Sequence, residues 1–153
     1  MNPDITVFQA ITLAIAALGA VLGIINTWHA IDRTRIKLKV SPSHAIPVGN
    51  VHPSIRFCVE ITNLSSFAVT VCEVGVTYSG KSHRGCITHP IFLDGGPWPR
   101  RLEPRTSVTI YSQLPYSEAG EKIENAYVKT QCGHLETGMS PALRQISDAQ
   151  FQR

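Results

Sequence analysis

Residues 5–28 read ITVFQAITLAIAALGAVLGIINTW, a run of 24 positions without one charged side chain. A helix rises about 1.5 Å per residue and the hydrocarbon core of a bilayer is about 30 Å thick, so about 20 apolar residues cross it. Helices of soluble proteins rarely stay apolar on every face over such a length. The run therefore predicts a transmembrane helix over residues 5–28.

Two alternatives to a spanning helix stay open. One is the buried helix of a soluble protein. The other is a cleaved signal peptide, because residues 17–20 (ALGA) resemble a cleavage site. A signal peptide carries basic residues before its apolar run, whereas this chain has Asp4 there and neither Lys nor Arg. Spanning is therefore the favoured interpretation.

The residues after the run predict its orientation. Four basic side chains follow it: Arg33, Arg35, Lys37 and Lys39. Basic residues close to a span stay on the cytoplasmic side, which predicts an outer N-terminus and a cytoplasmic C-terminal domain. Without these four, the formal net charge of +3 becomes 3 − 4 = −1. The basic residues therefore indicate contact with lipid headgroups, and the chain has no nucleic-acid footprint.

Small residues within the run form a G-x-x-x-G motif at Gly19 and Gly23, and Ala16 and Ala20 repeat the same spacing. Positions four apart share one helix face, where two backbones can approach closely. The motif predicts a homodimer through the transmembrane helix. Glycine and alanine are also common in spans that stay alone, so the monomeric alternative stays open.

The remaining residues, about 120, are enough for one domain with its own core. Apolar and polar residues alternate over 55–61 and 69–78, as in half-buried strands, and Gly and Pro clusters separate further short strands. Ser140-Pro141 predicts the start of a helix, with a capping serine and a proline at the first helical position. The chain is therefore predicted to be mainly β, with a juxtamembrane exit over 29–35, an antiparallel β-sandwich over 36–139 and a C-terminal helix and tail over 140–153.

Some local features are also predicted. They are a first strand over 36–40, loops over 41–53 and 94–104, and an edge strand over 86–92. The alternation breaks between Val71 and Val74, which indicates a bulge near Gly75. Three acidic residues recur every third position, as along one side of a short helix: Glu118, Glu121 and Glu124.

A family resemblance rests on two segments. ITNLSSFAVTV (residues 61–71) is similar to the strand, asparagine turn and valine-rich strand of small bacterial immunoglobulin-like domains. LEPRTSVT (residues 102–109) is similar to the proline-containing start of a later strand in them. The whole layout resembles uncharacterised single-pass membrane proteins of bacteria and prophages. That resemblance implies an immunoglobulin-like fold and a bacterial inner membrane, but no activity and no site. Cys58 departs from antibody-type domains, since it lies among the polar positions of its strand.

Zinc is the metal for which the sequence offers ligands. The candidates are His83, Cys86 and His89 in the pattern H-x2-C-x2-H, with Cys132 and His134 later in the chain. Zinc takes four such groups, but on an extended strand Cys86 points away from the two histidines. We therefore expect no cofactor, with a metal site on these five residues as the alternative.

Whether the cysteines are free thiols or form disulfides depends on the compartment in which the domain lies. The chain has four cysteines: Cys58, Cys72, Cys86 and Cys132. In a reducing cytoplasm they should be free thiols. In an exported domain they would suggest two bridges, with three possible pairings.

The loop over 94–104 holds the candidate partner-binding residues. Trp98 lies between two prolines, and Arg100 and Arg101 follow. Trp and Arg often dominate binding interfaces, so the three residues predict a contact surface for a partner. The alternative, which we favour for Trp98, is that its indole plugs the end of the sandwich while the two arginines stay exposed.

No catalytic motif is recognised in the sequence: it has no nucleophile elbow, no phosphate-binding glycine loop and no H-E-x-x-H helix. We therefore expect a non-catalytic, membrane-tethered adaptor domain that binds another membrane or phage protein, for example in superinfection exclusion by a prophage. The alternative is a membrane-anchored metal protein or enzyme that uses the His/Cys cluster.

Overall fold

The computed structural model describes residues 6–49, 52–116 and 121–151. Contacts divide the chain into two units, Met1–Arg35 and Ile36–Arg153. The first unit holds one long helix, and the second holds the strands and a short helix.

The helix of the first unit is α1, Val7–Thr34, with 28 residues. Its first turn is closed by a capping box, in which the Thr6 hydroxyl accepts from the backbone N–H of Gln9 and the Gln9 side chain accepts from the backbone N–H of Thr6. None of its residues is buried. α1 is long and apolar enough to span a membrane. It also continues past Trp28 through most of the predicted juxtamembrane exit.

In the part of the second unit that the structure describes, there are eight strands and one helix. They are β1 (Leu38–His44), β2 (Ile55–Asn63), β3 (Val69–Tyr78), β4 (Arg84–Cys86), β5 (Arg100–Leu102), β6 (Ser107–Gln113), β7 (Ile123–Thr130), β8 (Leu135–Gly138) and α2 (Pro141–Phe151). One sheet has the order β1-β2-β6, and the other has the order β4-β3-β7-β8 with β5 also paired to β3. All these pairings are antiparallel. The prediction of a mainly β protein with a short C-terminal helix is confirmed.

The core is one hydrophobic cluster that draws on both sheets and on α2. Strand β2 shows how the sequence specifies it, because Phe57, Val59 and Ile61 are fully buried and alternate with residues that are not. Burying one such side chain stabilises the fold by about 1.5–3 kcal/mol. A slip of one residue would turn the whole set to solvent, so this alternation fixes the register of β2.

Helix α2 begins and packs as the sequence predicts. The Ser140 hydroxyl accepts from the backbone N–H of Leu143 at 3.1 Å, which caps the first turn. Leu143 and Ile146 are buried in the core. The buried Ser147 donates to the carbonyl oxygen of Ile123 at 3.0 Å, so the helix is also tied to β7 by a hydrogen bond.

Two predicted loops contain strands. β1 extends to His44, well into the loop predicted over 41–53. Pro42 is tolerated there because β1 lies at the edge of its sheet, where a missing N–H need not break a ladder. β5 lies inside the loop predicted over 94–104. A strand of three residues is too short to show a period in the sequence.

The edge strand predicted over 86–92 is wrong in its bounds. β4 ends at Cys86, where the prediction begins. Further along, Ile91 forms an isolated antiparallel bridge with Tyr111 of β6, which belongs to the other sheet. Pro90 lacks the N–H that a continuous ladder would need, which fits the shortness of this pairing.

The predicted break in the alternation of β3 between Val71 and Val74 is found, but its register shift lies at Cys72 and not near Gly75, and a second shift lies between Thr77 and Tyr78. The pairing of β3 with β7 shifts register between Val71 and Glu73. Gly75 has another role, because a Cβ there would lie 1.9 Å from a neighbouring backbone oxygen and 2.9 Å from a ring carbon of Tyr127. This glycine therefore permits a close approach of strands and ring.

The predicted acidic helix is also wrong where the chain is described. Glu124 lies in β7, and Glu121 precedes that strand, while Glu118 falls outside the described residues. The Glu121 carboxylate lies 3.5 Å from Lys81 Nζ and 3.4 Å from His83 Nε2. Glu121 and Glu124 therefore belong to strand β7 and the residues just before it, and not to one side of a helix.

A buried asparagine organises one end of the domain. Asn63 is fully buried, and its Nδ2 lies 2.9, 3.1 and 3.2 Å from the carbonyl oxygens of Phe67, Leu102 and Glu103. Its side-chain oxygen accepts from the backbone N–H of Ser65 at 2.9 Å. Asn63 thereby fastens the loop after β2 to the loop after β5, in the segment that carries the family resemblance.

Candidate binding surface

The connection between β4 and β5, residues 87–99, touches both sheets. Ile91 and Tyr111 exchange two backbone hydrogen bonds of 3.0 and 2.9 Å, which attaches the connection to β6. The chain then returns to the other sheet, where Arg100 pairs with Val71 of β3. The connection of residues 87–99 therefore lies at an edge where the two sheets come together.

Trp98 is half-buried and packs against the core. Its ring centroid lies 5.7 Å from that of Phe92, and the Arg100 guanidinium carbon lies 6.0 Å from the Phe92 centroid. Arg100 forms an ion pair with Asp94 and its side chain is 23% exposed. Arg101 is 69% exposed and pairs with Glu103 at 2.9 Å. Of the three predicted partner-binding residues, only Arg101 is largely exposed, so the prediction that Arg100 is exposed is wrong.

The ion pair in this loop is supported by the backbone. Asp94 Oδ1 accepts from the backbone N–H of Gly96 at 3.1 Å. This hydrogen bond and the Arg100 guanidinium hold the pKa of Asp94 below its usual range. Asp94 therefore stays charged and paired with Arg100 to a lower pH than an ordinary aspartate would.

An apolar groove lies beside this connection. Its volume is about 230 Å³, and it is lined by Ala45, Ile46, Pro47, Val48, Ile55, Ile91, Leu93 and Tyr111. Ile46, Val48 and Leu93 are 83%, 82% and 75% exposed, which is unusual for large aliphatic residues that lie close together. We call these eight residues the apolar groove. The apolar groove is not predicted from the sequence, although Ile46 and Val48 stand out as apolar residues in a Pro- and Gly-rich loop.

The charges next to the apolar groove are basic or already paired. Arg56 follows Ile55, and its Nε donates to the carbonyl oxygen of Pro53 at 3.4 Å. The ion pairs found among the described residues do not include Arg56. Asp94 follows Leu93 but is held by Arg100. The lining of the groove itself is apolar.

The five proposed metal ligands are not gathered at one site. Cys86 is in β4, and His83 precedes that strand with Glu121 as its neighbour. His89 contacts the hydroxyl of Thr88 at 3.0 Å. Further along the chain, Cys132 Sγ lies 3.1 Å from the Thr130 hydroxyl, and His134 Nε2 lies 3.3 Å from Glu136. Within residues 6–49, 52–116 and 121–151, no three His, Cys, Asp or Glu side chains are grouped so that they could hold a metal ion.

The four cysteines are free thiols in the structure. Burial raises the pKa of the Cys58 and Cys86 thiols. Cys132 differs, because the Thr130 hydroxyl and then the backbone N–H of His134 lower the pKa of its exposed thiol. Cys132 is therefore the cysteine best suited to react from solution.

The proposed dimerisation and headgroup residues are placed as follows. Gly19 and Gly23 lie within α1, and a Cβ at either would meet nothing within 4 Å. Arg33 lies in the last turn of α1 and Arg35 is its C-cap. The other two basic residues belong to the second unit: Lys39 lies in β1 opposite Thr62, and Lys37 precedes that strand.

Comparison with known proteins assigns no family. No family model matches the chain, and no curated protein matches it. One similar solved structure is an X-ray structure of a Northeast Structural Genomics Consortium target, with 13% identity over 71% of this chain and 83% of that chain and a TM-score of 0.32. Another is a Bordetella pertussis protein given the name ApaA, with 15% identity, coverage of 68% and 86%, and a TM-score of 0.31. At these TM-scores neither likeness carries information about function.

Proposed function

We propose that this protein is a non-catalytic binding module anchored by α1 in a bacterial inner membrane, with an immunoglobulin-like sandwich as its binding domain. The observation that carries the proposal is α1, a helix of 28 residues of which none is buried by the rest of the chain. Exposed apolar surface costs about 25 cal/mol per Å² in water. A helix that is apolar on all sides is stable where lipid replaces that water.

The orientation proposed is an outer N-terminus with the β domain in the cytoplasm. It is supported by the four basic residues that follow the apolar run, because such residues are retained on the cytoplasmic side. The immunoglobulin-like assignment is supported by the resemblance of residues 61–71 and by two antiparallel sheets that share one core. The layout of a helix followed by a β domain resembles that of single-pass proteins of bacteria and prophages.

The apolar groove is the binding site that we propose for a protein partner. Its occupant is an apolar segment of the partner, because the lining of the groove is apolar. Association would remove exposed Ile46, Val48 and Leu93 from water, which supplies the main favourable term. Such a partner is another membrane or phage protein, and superinfection exclusion by a prophage is one process that this arrangement would serve.

Topology is the first test. We expect a fluorescent protein fused after Arg153 to be bright and an alkaline phosphatase fused at the same position to be inactive. The fusion protein should stay in the membrane after alkaline extraction. Active phosphatase would place the β domain outside the cytoplasm, and a chain released by alkali would remove the anchor from the proposal.

Binding is tested by site-specific photocrosslinking in cells that make the full chain. A photoreactive residue at Val48 and one at Leu93 should give the same adduct, while one at Leu135 on the other sheet should not. A synthetic peptide of the crosslinked segment should bind the purified chain, and replacing the apolar residues of the peptide with serine should weaken the binding. Adducts that are the same at all three positions would contradict the groove as the site.

A further inference from the structure

The strand register places several loops together at one end of the β domain. This is the end where Ile36, the first residue of the domain, lies. Leu38 at the start of β1 pairs with Asn63 at the end of β2, and Val69 at the start of β3 pairs with Leu102 at the end of β5. The backbone N–H of Gln131, after β7, donates to the carbonyl oxygen of Thr70 at 2.9 Å. We call this the Ile36 end, and it consists of Ile36, Lys37 and residues 64–68, 103–106 and 131–134.

Apolar side chains are exposed at the Ile36 end. Leu64 is 37% exposed and Phe67 is 36% exposed, and both lie in the loop directly after β2. Phe67 also borders a recess of about 420 Å³ whose lining includes Ile36 and Val69. An aromatic and an aliphatic side chain at a loop tip are suited to the layer between lipid headgroups and acyl chains.

Positive charge accompanies these apolar residues. Lys37 and Arg105 are both exposed at the Ile36 end. Arg105 has a φ of 63°, a left-handed conformation that costs free energy for any residue except glycine. Glu103 is the acidic residue there, and it is already paired with Arg101. The surface therefore combines apolar tips with cations, as an anionic lipid surface requires.

The Ile36 end is held rigid by hydrogen bonds. Asn63 joins the two loops, and its backbone carbonyl accepts from the N–H of Arg105 at 2.9 Å. Ser65 Oγ accepts from the backbone N–H of Lys37 at 2.8 Å, and the N–H of Leu64 donates to the Lys37 carbonyl oxygen at 2.8 Å. The apolar tips and the cations are thus fixed on one scaffold before any ligand arrives, which lowers the entropy lost on binding.

We propose that the Ile36 end is a second membrane contact, which rests on the anionic headgroup layer with Leu64 and Phe67 in the interfacial layer and Lys37 and Arg105 against lipid phosphates. The inference rests on the proposed function, because α1 must span the bilayer to hold this end beside it. Residues 35–37 are the whole connection between α1 and β1, so the tether is short.

The test measures how close single tryptophans lie to lipid. The full chain is reconstituted in vesicles of phosphatidylcholine and phosphatidylglycerol, with part of the phosphatidylcholine brominated near the headgroup end of its acyl chains. In a Trp28→Phe, Trp98→Phe background, Phe67→Trp should lose fluorescence when the brominated lipid is present. Tyr116→Trp in the same background, an exposed position after β6, should lose none.

Charge and anchoring are checked separately. Arg105→Gln should reduce the quenching at Phe67→Trp, whereas Arg56→Gln, the matched change beside the apolar groove, should leave it unchanged. The Trp98→Phe chain keeps Trp28 at the end of the apolar run and reports insertion of α1. If Trp28 is quenched but the tryptophan of Phe67→Trp is quenched no more than that of Tyr116→Trp, this inference is overturned and the proposed function is not. An unquenched Trp28 would overturn the proposed function and this inference together.

Discussion

The phenol of Tyr127 donates a 2.6 Å hydrogen bond to Oε1 of Glu73, and this bond joins β7 to β3. Ala126 and Val128 on either side belong to the core cluster, so Tyr127 lies on the opposite face of its sheet. Its ring is nevertheless fully buried, with the Arg84 guanidinium carbon 5.1 Å from the centroid. The outward face of the five-stranded sheet therefore contains a buried aromatic residue of its own.

We expect Tyr127→Phe to destabilise the domain by about 1 kcal/mol, because the Glu73 carboxylate loses its donor while the ring still fills its place. Burial and then the Glu73 hydrogen bond raise the pKa of Tyr127. A raised pKa favours the protonated phenol in the folded state, so this stabilisation is complete below about pH 10 and is lost as pH rises above it. Urea unfolding of the detergent-solubilised chain should be measured from neutral pH to above about pH 10. The free energy of unfolding should fall more steeply with rising pH for the native chain than for Tyr127→Phe. Parallel curves would contradict the assignment.

Asn63→Ala should cost about 3 kcal/mol, because it leaves several buried backbone groups without partners. Asn63→Asp is the sharper variant, since it has the same shape and keeps the acceptor for Ser65 but loses both donors. It should destabilise the domain at neutral pH and less so when the carboxyl is protonated. Thermal unfolding measures both. If Asn63→Asp were as stable as the native chain, the asparagine would not be holding the loops.

Trp98→Ala should lower stability by about 2 kcal/mol, less than the 3–5 kcal/mol of a fully buried tryptophan, because Trp98 is half-buried. Arg101→Ala should change stability little, since its ion pair with Glu103 is exposed. Unfolding midpoints of the two variants give the comparison. An unchanged midpoint for Trp98→Ala would return the indole to the list of candidate partner contacts.

Cys132 should be alkylated faster than Cys58 or Cys86 when the folded chain meets iodoacetamide near neutral pH. Its exposed thiol has a lowered pKa, and the thiolate is the species that reacts. Thr130→Val removes the hydroxyl that lowers this pKa and should slow the reaction of Cys132 alone. Rates come from mass spectrometry of digests at timed intervals. Equal rates for the three cysteines would show that the local hydrogen bonds do not govern reactivity.

Gly19→Leu combined with Gly23→Leu should abolish any dimer that forms through α1. Beyond the adjoining turns of α1, a Cβ at either position would meet nothing within 4 Å, so the added bulk would act on a second helix packed there. Ala17→Leu adds similar bulk on the opposite face and serves as the control. Crosslinking in membranes checks both variants. Dimers that survive the double change would place self-association elsewhere.

Long, regular patterns made the fold predictable from the sequence. The apolar run of α1 and the alternation of β2 each repeat over many residues, and both elements are found where they were expected. The sequence does not indicate β5, because three residues cannot show a period, and it predicts too short a first strand, because Pro42 is typical of a loop. The same proline is harmless on an edge strand, and edge position depends on sheet order.

The candidate site was less predictable. The apolar groove joins residues 45–48 to Ile91 and Leu93, and proximity of segments so far apart in sequence is set by topology. Trp98 and Arg100 were singled out by residue type, but their burial depends on Phe92 and Asp94, which sequence spacing does not connect to them. Residue type indicated which side chains can bind, whereas only packing indicates which remain free to do so.

The closure of β8 and α2 against the first strand has a consequence for biosynthesis. A Cβ at Gly138 would lie 1.9 Å from the carbonyl oxygen of Val40, and Leu143 and Ile146 complete the core that β1 begins. The core of a nascent chain is thus incomplete until α2 has left the ribosome. Because domains generally fold as units during synthesis, the β domain cannot finish folding before that point. If α1 enters the bilayer as it emerges, the chain is tethered before its β domain can fold. Folding then takes place at the membrane surface, where chaperones must reach a chain that cannot diffuse away.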